Sequence, residues 1–534
     1  MSGVAGLANA AWLLSGTGAV LQYRRALEEP GTAQWSWLAG RIARDRESDL
    51  GRAHGFGGVT DYASFEKRVP LCGWEDLVPQ VERIRAGEAG VLGLEPVTHL
   101  VPTSGSSGAR KLIPFTASLK RSFSRAVAPW LLDLVRQRPG VLGGPAYWSI
   151  SPLEGDGEPD SAVPVGFPDD AEYLGSVRAG FVRRVLPVPS AVRSVPDVGL
   201  FRRLTLLALL RCRSLRMISV WHPSFLELLL EAAVPDWDDL LEAVADGANP
   251  WSAALPPDEA RLWRARPDPS RAAELRRATA EDWTRWWPDL QVVSCWGEQA
   301  AEPGWRRLAD RCPDVLVQRK GLLATEGVVT IPIGRERPLA VTSHFFEFID
   351  ASGGIRLAHQ LEKGGRYEVV LTNGAGLWRY RLGDLVECTG HLYATPSLRF
   401  LGRAGGVSDL RGEKLSEWFV AEAMSVLRAS GLWSGEAQLH AWEEGHKAGY
   451  ILVVETPTAD EDLPEAADRL EDALIQNPHY ALARRLGQLE PLRVRRVRPG
   501  SLGRAQLEGA ARRGQRLGDV KPTVLVAAAD RGPP

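Results

Sequence analysis

Apolar positions recur at helical spacing through Trp12–Leu27 and Trp35–Ile42, and a glycine-rich break follows at residues 51–58. Two short helices are expected over Asp61–Val69 and Trp74–Ile84, with aspartates nearby to cap them. Residues 1–95 therefore read as mainly helical. A long helix is expected over Ala117–Val135, and strand and loop around one helix over 139–200. Phe201–Val234 reads as a strongly apolar helical region, and 235–288 as a helical, solvated face rich in Trp, Asp and Arg. Leu290–Cys295, Val315–Gln318, Val328–Ile333, Ala340–Ile349 and Tyr367–Thr372 read as strands with helices between some of them, an α/β sheet region. Near Val407 the pattern changes to a helix (Leu415–Ser430), paired strands (Ala437–Glu455), two helices (Leu463–Ile475 and Tyr480–Leu486) and a strand (Leu492–Val497). The predicted class is α/β: a large N-terminal domain over 1–405 and a small mobile C-terminal α/β domain over 406–534. At 534 residues the chain exceeds what one core ordinarily supports.

Composition narrows the class. The chain is 44% apolar and 24% charged with net charge −2, which argues against a nucleic-acid or membrane-surface partner. Only eight of its 64 basic residues are lysine, so each lysine invites a question. Five scattered cysteines (72, 212, 295, 312 and 388) form no CxxC, so neither a disulfide framework nor a zinc site is expected, and a reducing cytoplasm is the simple reading. Val4–Leu21 lacks the basic start of a signal peptide and reads as a first amphipathic helix. Arginines 202, 203 and 211 bracket the apolar run Leu204–Leu210, and no run has the length of a membrane span. A monomer is expected.

The candidate chemistry begins at Val101–Thr116. Between two apolar runs lie Ser104-Gly105-Ser106-Ser107-Gly108, then Arg110 and Lys111. Glycines let successive N–H groups point into one concavity, the hydroxyls add donors and the cations add charge, which suits a polyphosphate. The spacing is not that of a Walker A loop, because Ala109-Arg110 separates Gly108 from Lys111. A flexible linker is the plain alternative, disfavoured by flanks that read as buried strands.

Four further segments share the theme. Thr325-Glu326 sits in a turn, where the hydroxyl can bond a phosphate and the carboxylate can hold Mg²⁺; an exposed turn glutamate explains it as well. Asp384 is expected in a turn after a strand, suited to two ribose hydroxyls or to closing the turn. Gly297-Glu298 follows a strand, where a glycine turn can pass over a base. Arg403 ends a strand at the domain junction, and Gly412-Glu413-Lys414-Leu415 opens the small domain. Turns at the carboxyl ends of a sheet converge on one crevice. His222, just before Pro223, reads as a structural hydrogen bonder or as a catalytic group.

TSGSSG-AR-K, LLATEG, RYRLGD and GR…GEKL, in this order, resemble the core motifs of the adenylate-forming superfamily. The closer resemblance is to the Gretchen Hagen (auxin-responsive) acyl acid–amido synthetase family, of which the chain looks like a bacterial-type member. It extends over nearly the whole chain, through Leu27–Gln34 (LEEPGTAQ), Phe65–Leu71 (FEKRVPL), Arg83–Gly87 (RIRAG), Lys111–Thr116 (KLIPFT), Trp221–Leu226 (WHPSFL) and His344–Ile349 (HFFEFI). The resemblance implies an adenylate-forming fold and a two-step reaction: an acid and ATP give an acyl-adenylate, then an amino acid's amine takes the acyl group. It implies ATP and Mg²⁺, with small acids and amines as partners. It places Thr103, Ser104, Gly105, Ser106, Ser107 and Lys111 on the pyrophosphate side, Thr325 at the α-phosphate, Glu326 on Mg²⁺, Asp384 on ribose, and Gly297 and Glu298 near adenine. Arg403 becomes an interdomain nucleotide contact, with Lys414 its partner from the small domain. Lys521 stands where the superfamily carries a mobile catalytic lysine, although Gly518-Asp-Val-Lys-Pro522 lacks the usual glutamine and proline follows directly. Gly405-Gly406 reads as the hinge, and the acyl pocket is expected to be lined from the Ala117–Val135 and Phe201–Leu230 helices. An acyl-CoA ligase and a non-catalytic nucleotide-binding module are the alternatives.

Overall fold

The computed structural model describes residues 2–103, 111–149, 161–166, 185–195, 197–404, 407–431, 433, 435–445, 447–456, 463–512 and 523–526. Helices Ser2–Ser15, Thr17–Glu28, Pro30–Asp45, Asp49–Ala53, Tyr62–Arg68 and Trp74–Arg85 occupy the first 85 residues, so the expected first helix is divided at Gly16. Asp61 caps Tyr62–Arg68: its carboxylate accepts the Ser64 N–H at 2.8 Å, and the Ser64 hydroxyl oxygen accepts the Asp61 N–H at 3.1 Å.

Strands β1 (Val97–Thr103) and β2 (Lys111–Thr116) form an antiparallel hairpin with Thr103 opposite Lys111. The serine–glycine segment 104–110 lies outside the described residues. Thr116 accepts the Leu119 N–H and starts the long helix Ala117–Gln137. Four short strands, β3 (Ala146–Trp148), β4 (Met217–Ser219), β5 (Val292–Cys295) and β6 (Leu316–Arg319), form a parallel sheet in chain order. Tyr147, Ile218, Val293 and Val317 face the Val198–Arg211 and Pro223–Glu231 helices. Ala146, Met217, Val292 and Leu316 share a second cluster with the Ala117–Gln137 helix.

Two expectations fail in this region. The apolar stretch 201–234 is not uniformly helical, because β4 lies inside it. Being buried on both faces, β4 shows no alternation to separate it from helix. The stretch 235–288 is not a solvated face either: Trp263, Trp283, Trp286 and Trp287 are buried in the core it covers.

Strands β7 (Leu323–Ala324) and β8 (Gly327–Val328) pair around a two-residue turn made of Thr325 and Glu326. Next comes a five-stranded antiparallel sheet of β9 (Phe345–Asp350), β10 (Ile355–Leu357), β11 (Arg366–Thr372), β12 (Tyr380–Leu392) and β13 (Thr395–Arg403), in the order β10-β9-β11-β12-β13. Gln34 ties the N-terminal helices to it, donating to Val341 O at 2.7 Å and His344 O at 2.6 Å and accepting the Phe346 N–H at 2.7 Å.

The C-terminal part holds β14 (Val407–Ser408), β15 (Leu415–Ser416), helix Glu417–Ala429, and a sheet of β16 (Ala437–Glu444), β17 (Lys447–Glu455), β18 (Arg493–Val497) and β19 (Leu525–Val526) ordered β18-β17-β16-β19. Its core, around Leu439, Tyr450, Leu452 and Leu470, draws on no residue before Leu410 among the described residues. The five cysteines are unpaired, and no helix among the described residues is long and apolar enough to cross a membrane.

Candidate active site

The centre of the site is Asp384. Its expected place was a turn; it lies instead within β12, opposite Arg403 of β13. The register of β12 on β11 jumps between Glu368↔Leu385 and Val370↔Arg381, so a bulge carries Leu382, Gly383 and Asp384. Gly383 takes φ +75°, a left-handed conformation that glycine adopts freely. Asp384 is fully buried. Arg403 Nε lies 2.9 Å from Asp384 Oδ1, yet neither carboxylate oxygen receives a well-aligned hydrogen bond among the described residues. Buried polar groups are normally satisfied, so this pair of empty acceptors fits a vicinal diol.

Lys111, Glu326, Tyr380 and Arg403 complete the group. The Lys111 ammonium reaches toward the Tyr380 hydroxyl at 3.5 Å. Burial pulls the Lys111 ammonium down from its usual range, while Glu326, Glu75 and Asp384 oppose this and Arg403 adds to it. Asp384 holds the Arg403 guanidinium above its ordinary range, with Glu326, Tyr380 and Glu417 in support. Burial, then Glu326, pushes the Tyr380 hydroxyl up, so it stays protonated. The Glu326 carboxylate accepts no hydrogen bond among the described residues, although Asn373 donates to its backbone carbonyl at 2.8 Å. Behind this turn His344 accepts the Val328 N–H at 3.2 Å, and burial pushes its imidazole down to about 3. Thr325 is half-buried beside Glu326. One carboxylate free of hydrogen bonds, facing cations and hydroxyls, suits a magnesium ion shared with phosphate oxygens.

The other expected residues have partners of their own or lie outside the described residues. The buried Glu298 carboxylate accepts the Phe400 N–H at 2.8 Å and pairs with Arg337 at 3.2 Å, so it braces β13. Gly297 packs so closely that an added Cβ would sit 2.8 Å from Trp305 Cδ1 and 2.9 Å from Arg319 Cγ. Lys414 is exposed, at φ +45°, beside the buried Glu413 that accepts the Leu410 and Arg411 N–H groups. Thr103 ends β1 opposite Lys111. Ser104, Gly105, Ser106, Ser107, the Gly405-Gly406 pair and Lys521 lie outside the described residues. The chain beside Lys521 can be followed, however. Thr523 donates to Glu417 at 2.5 Å, and Glu417 acts electrostatically on Arg403.

His222 is a helix cap: its Nδ1 accepts the Ser224 N–H at 3.2 Å at the start of Pro223–Glu231. Sequence reasoning passed over Tyr380, although it lies inside RYRLGD. It also passed over Lys320, which the scarcity of lysine alone could have flagged.

Family models match three successive parts of the chain: the GH3 family N-terminal domain over residues 20–317, the central domain over 338–403 and the C-terminal domain over 434–530. A probable indole-3-acetic acid-amido synthetase of Oryza sativa subsp. japonica is 25% identical over 90% of this chain and 88% of its own length. A jasmonoyl–L-amino acid synthetase from the same plant is 24% identical over 84% of both. Among solved structures, an acyl acid amido synthetase in complex with 2,4-DB superposes with TM-score 0.83 at 19% identity, covering 95% of this chain and 93% of the other. A 2-hydroxyisobutyryl-CoA ligase in a postadenylation state reaches 0.54 at 16% identity, over 94% and 91%. The chain belongs to the GH3 family and has the adenylate-forming fold.

Proposed function

We propose that this GH3-family chain is an ATP-dependent acid–amino acid ligase. A substrate carboxylate oxygen attacks the α-phosphorus of ATP, and the bond to pyrophosphate breaks. The amine nitrogen of an amino acid then attacks the acyl carbon, and AMP leaves with the phosphate oxygen. The observation that carries this reading is the convergence of Lys111, Glu326, Tyr380, Asp384 and Arg403, four chain segments around one buried centre. Most relatives named above are amido synthetases.

The residue roles in this reading are as follows. The unsatisfied Asp384 carboxylate accepts from both ribose hydroxyls. Lys111 and the loop carrying Thr103, Ser104, Gly105, Ser106 and Ser107 hold the pyrophosphate side, and Thr325 donates to the α-phosphate. Two anions repel, so Lys111 and Arg403 must offset their charge in a site poor in water, where electrostatics acts strongly. Glu326 would hold Mg²⁺, which when bound neutralises phosphate charge. Gly297 and Glu298 serve the base side, where Glu298 acts by bracing β13. Lys414 and Lys521 come from the C-terminal unit, divided from the rest at 405/406. The separate C-terminal core supports that division, as do its polar contacts to the larger part: Arg366 with Glu422 at 2.8 Å and Arg307 with Glu436 at 3.5 Å. The unpaired cysteines accord with a cytoplasmic protein.

The test is pyrophosphate release over a matrix of carboxylic acids and amino acids, with products read by mass spectrometry. An amide that appears only with acid, ATP and amine together is the expected result. A thioester formed when CoA replaces the amine would make the chain a CoA ligase, and nucleotide binding without turnover of any acid would make it a binding module.

A further inference from the structure

The parallel sheet changes character along one face. Ala146, Met217, Val292 and Leu316 pack in an apolar cluster with the Ala117–Gln137 helix. Two residues further on, the register aligns Trp148 with Ser219, Ser219 with Ser294 and Ser294 with Gln318. Strand alternation puts that polar row on the same face, at the carboxyl ends of the strands. Lys320 comes two residues after Gln318, with its N–H still bonded to Cys295 O at 2.9 Å.

Lys320 is 8% exposed. Its ammonium donates to Ser219 Oγ at 2.6 Å, and it lies 5.8 Å from the Trp130 ring centroid and 5.4 Å from that of Trp221. Among the described residues no carboxylate pairs with it. A buried cation without a counter-ion is costly, and burial pushes this one down to about 8. An ammonium has three donors, and one is used. Among the described residues Ser294 Oγ and Gln318 Nε2, both more than nine-tenths buried, have no hydrogen-bond partner, while Gln318 Oε1 is occupied by Trp130 Nε1 at 2.7 Å. The free capacity here is thus chiefly N–H and O–H donors around one positive charge. A carboxylate, which only accepts, is the complement.

We propose that Lys320, Ser219, Ser294 and Gln318 form a subsite for a second carboxylate, so that the acid activated here is a dicarboxylic acid. The proposal rests on the ligase reading above and deepens it. Glu326 stands six positions after Lys320, which bounds the span between their backbones at about 20 Å. The subsite lies on the sheet face covered by the Ala117–Gln137 helix, which turns the loosely expected acyl pocket into a specific donor set.

The experiment compares a ladder of dicarboxylic acids with their monomethyl esters, which keep the length and lose the distal charge. Pyrophosphate release by the wild type should favour the free diacid by at least tenfold in kcat/KM at the fitting length. In Lys320→Met the preference should vanish while the half-ester is still used, and Ser219→Ala should narrow it. Equal use of diacid and half-ester by the wild type, with turnover evident, overturns the subsite and leaves the ligase reading intact. If no acid turns over, the ligase reading fails. The subsite is then judged by thermal shift: the diacid should raise the midpoint of the wild type and the half-ester should not, and equal shifts overturn it. Should Lys320→Met fail to fold, the wild-type comparison and Ser219→Ala decide alone.

Discussion

A carboxylate with no solvent exposure and no hydrogen bond to either oxygen destabilises a fold unless something else needs it. Among the described residues Asp384 is such a group, and its neighbour Arg403 offsets only part of the cost. Asp384→Asn should therefore raise the KM for ATP by about 10–100-fold, the worth of a hydrogen bond to a charged acceptor. The unliganded protein should keep its thermal midpoint or gain slightly. A lower midpoint with unchanged KM would make Asp384 structural. His344 gives a prediction in pH. Its imidazole is pushed down to about 3 in the fold, against an unfolded value near 6.5, so between these values the unfolded chain binds the extra proton. Stability from this group is fully present above pH 6.5 and is lost as pH falls toward 3. His222, also pushed down to about 3, acts in the same window. Thermal midpoints measured from pH 7.5 down to 4 should fall, and His344→Asn should flatten part of that slope. An unchanged slope would contradict the assignment.

At the level of elements, the bulge in β12 is the device that aims Asp384. An added Cβ at Gly383 meets no atom within 4 Å, so Gly383→Ala is opposed by its left-handed backbone alone, about 1–2 kcal/mol. If the bulge relaxes, Asp384 turns away, and KM for ATP should rise while the amount of folded protein stays similar. A normal KM would show that the bulge is not needed. The bulge was invisible in the string, because Gly383-Asp384 reads equally as a turn. Other elements were legible for physical reasons. The Tyr62–Arg68 helix announces itself through Asp61, and the Thr325-Glu326 turn through its glycine flank. The strand Met217–Ser219 was not legible, since three residues buried on both faces show no period of their own. The tryptophans at 283, 286 and 287 were misjudged because the charges around them suggested a wet face, whereas the fold turns the rings inward and the charges outward. The motifs marked Lys111, Glu326, Asp384 and Arg403 as one set, and those four do converge. Tyr380 and Lys320 came only with the coordinates, as their roles depend on which strands lie side by side.

For the whole molecule, the proposed reaction has groups from two separately cored parts of the chain serve one nucleotide. Thr523, two residues past Lys521, is tied to Glu417, and Glu417 acts on Arg403, so the C-terminal unit is linked to the nucleotide centre through described residues. Lys521→Ala should depress adenylation at least 100-fold while attack of the amine on a preformed acyl-adenylate changes little. Equal loss in both steps would remove Lys521 from that role. The central claim, that widely spaced segments enclose a single ATP and activate an acid there, is tested most directly by exchange of labelled pyrophosphate into ATP, which reports the first half-reaction without any amine. The account predicts exchange that depends on a carboxylic acid and falls at least 100-fold in both Lys111→Ala and Asp384→Ala. Exchange in wild type that both variants retain at full rate, or its absence with every acid while ATP still binds, would contradict it.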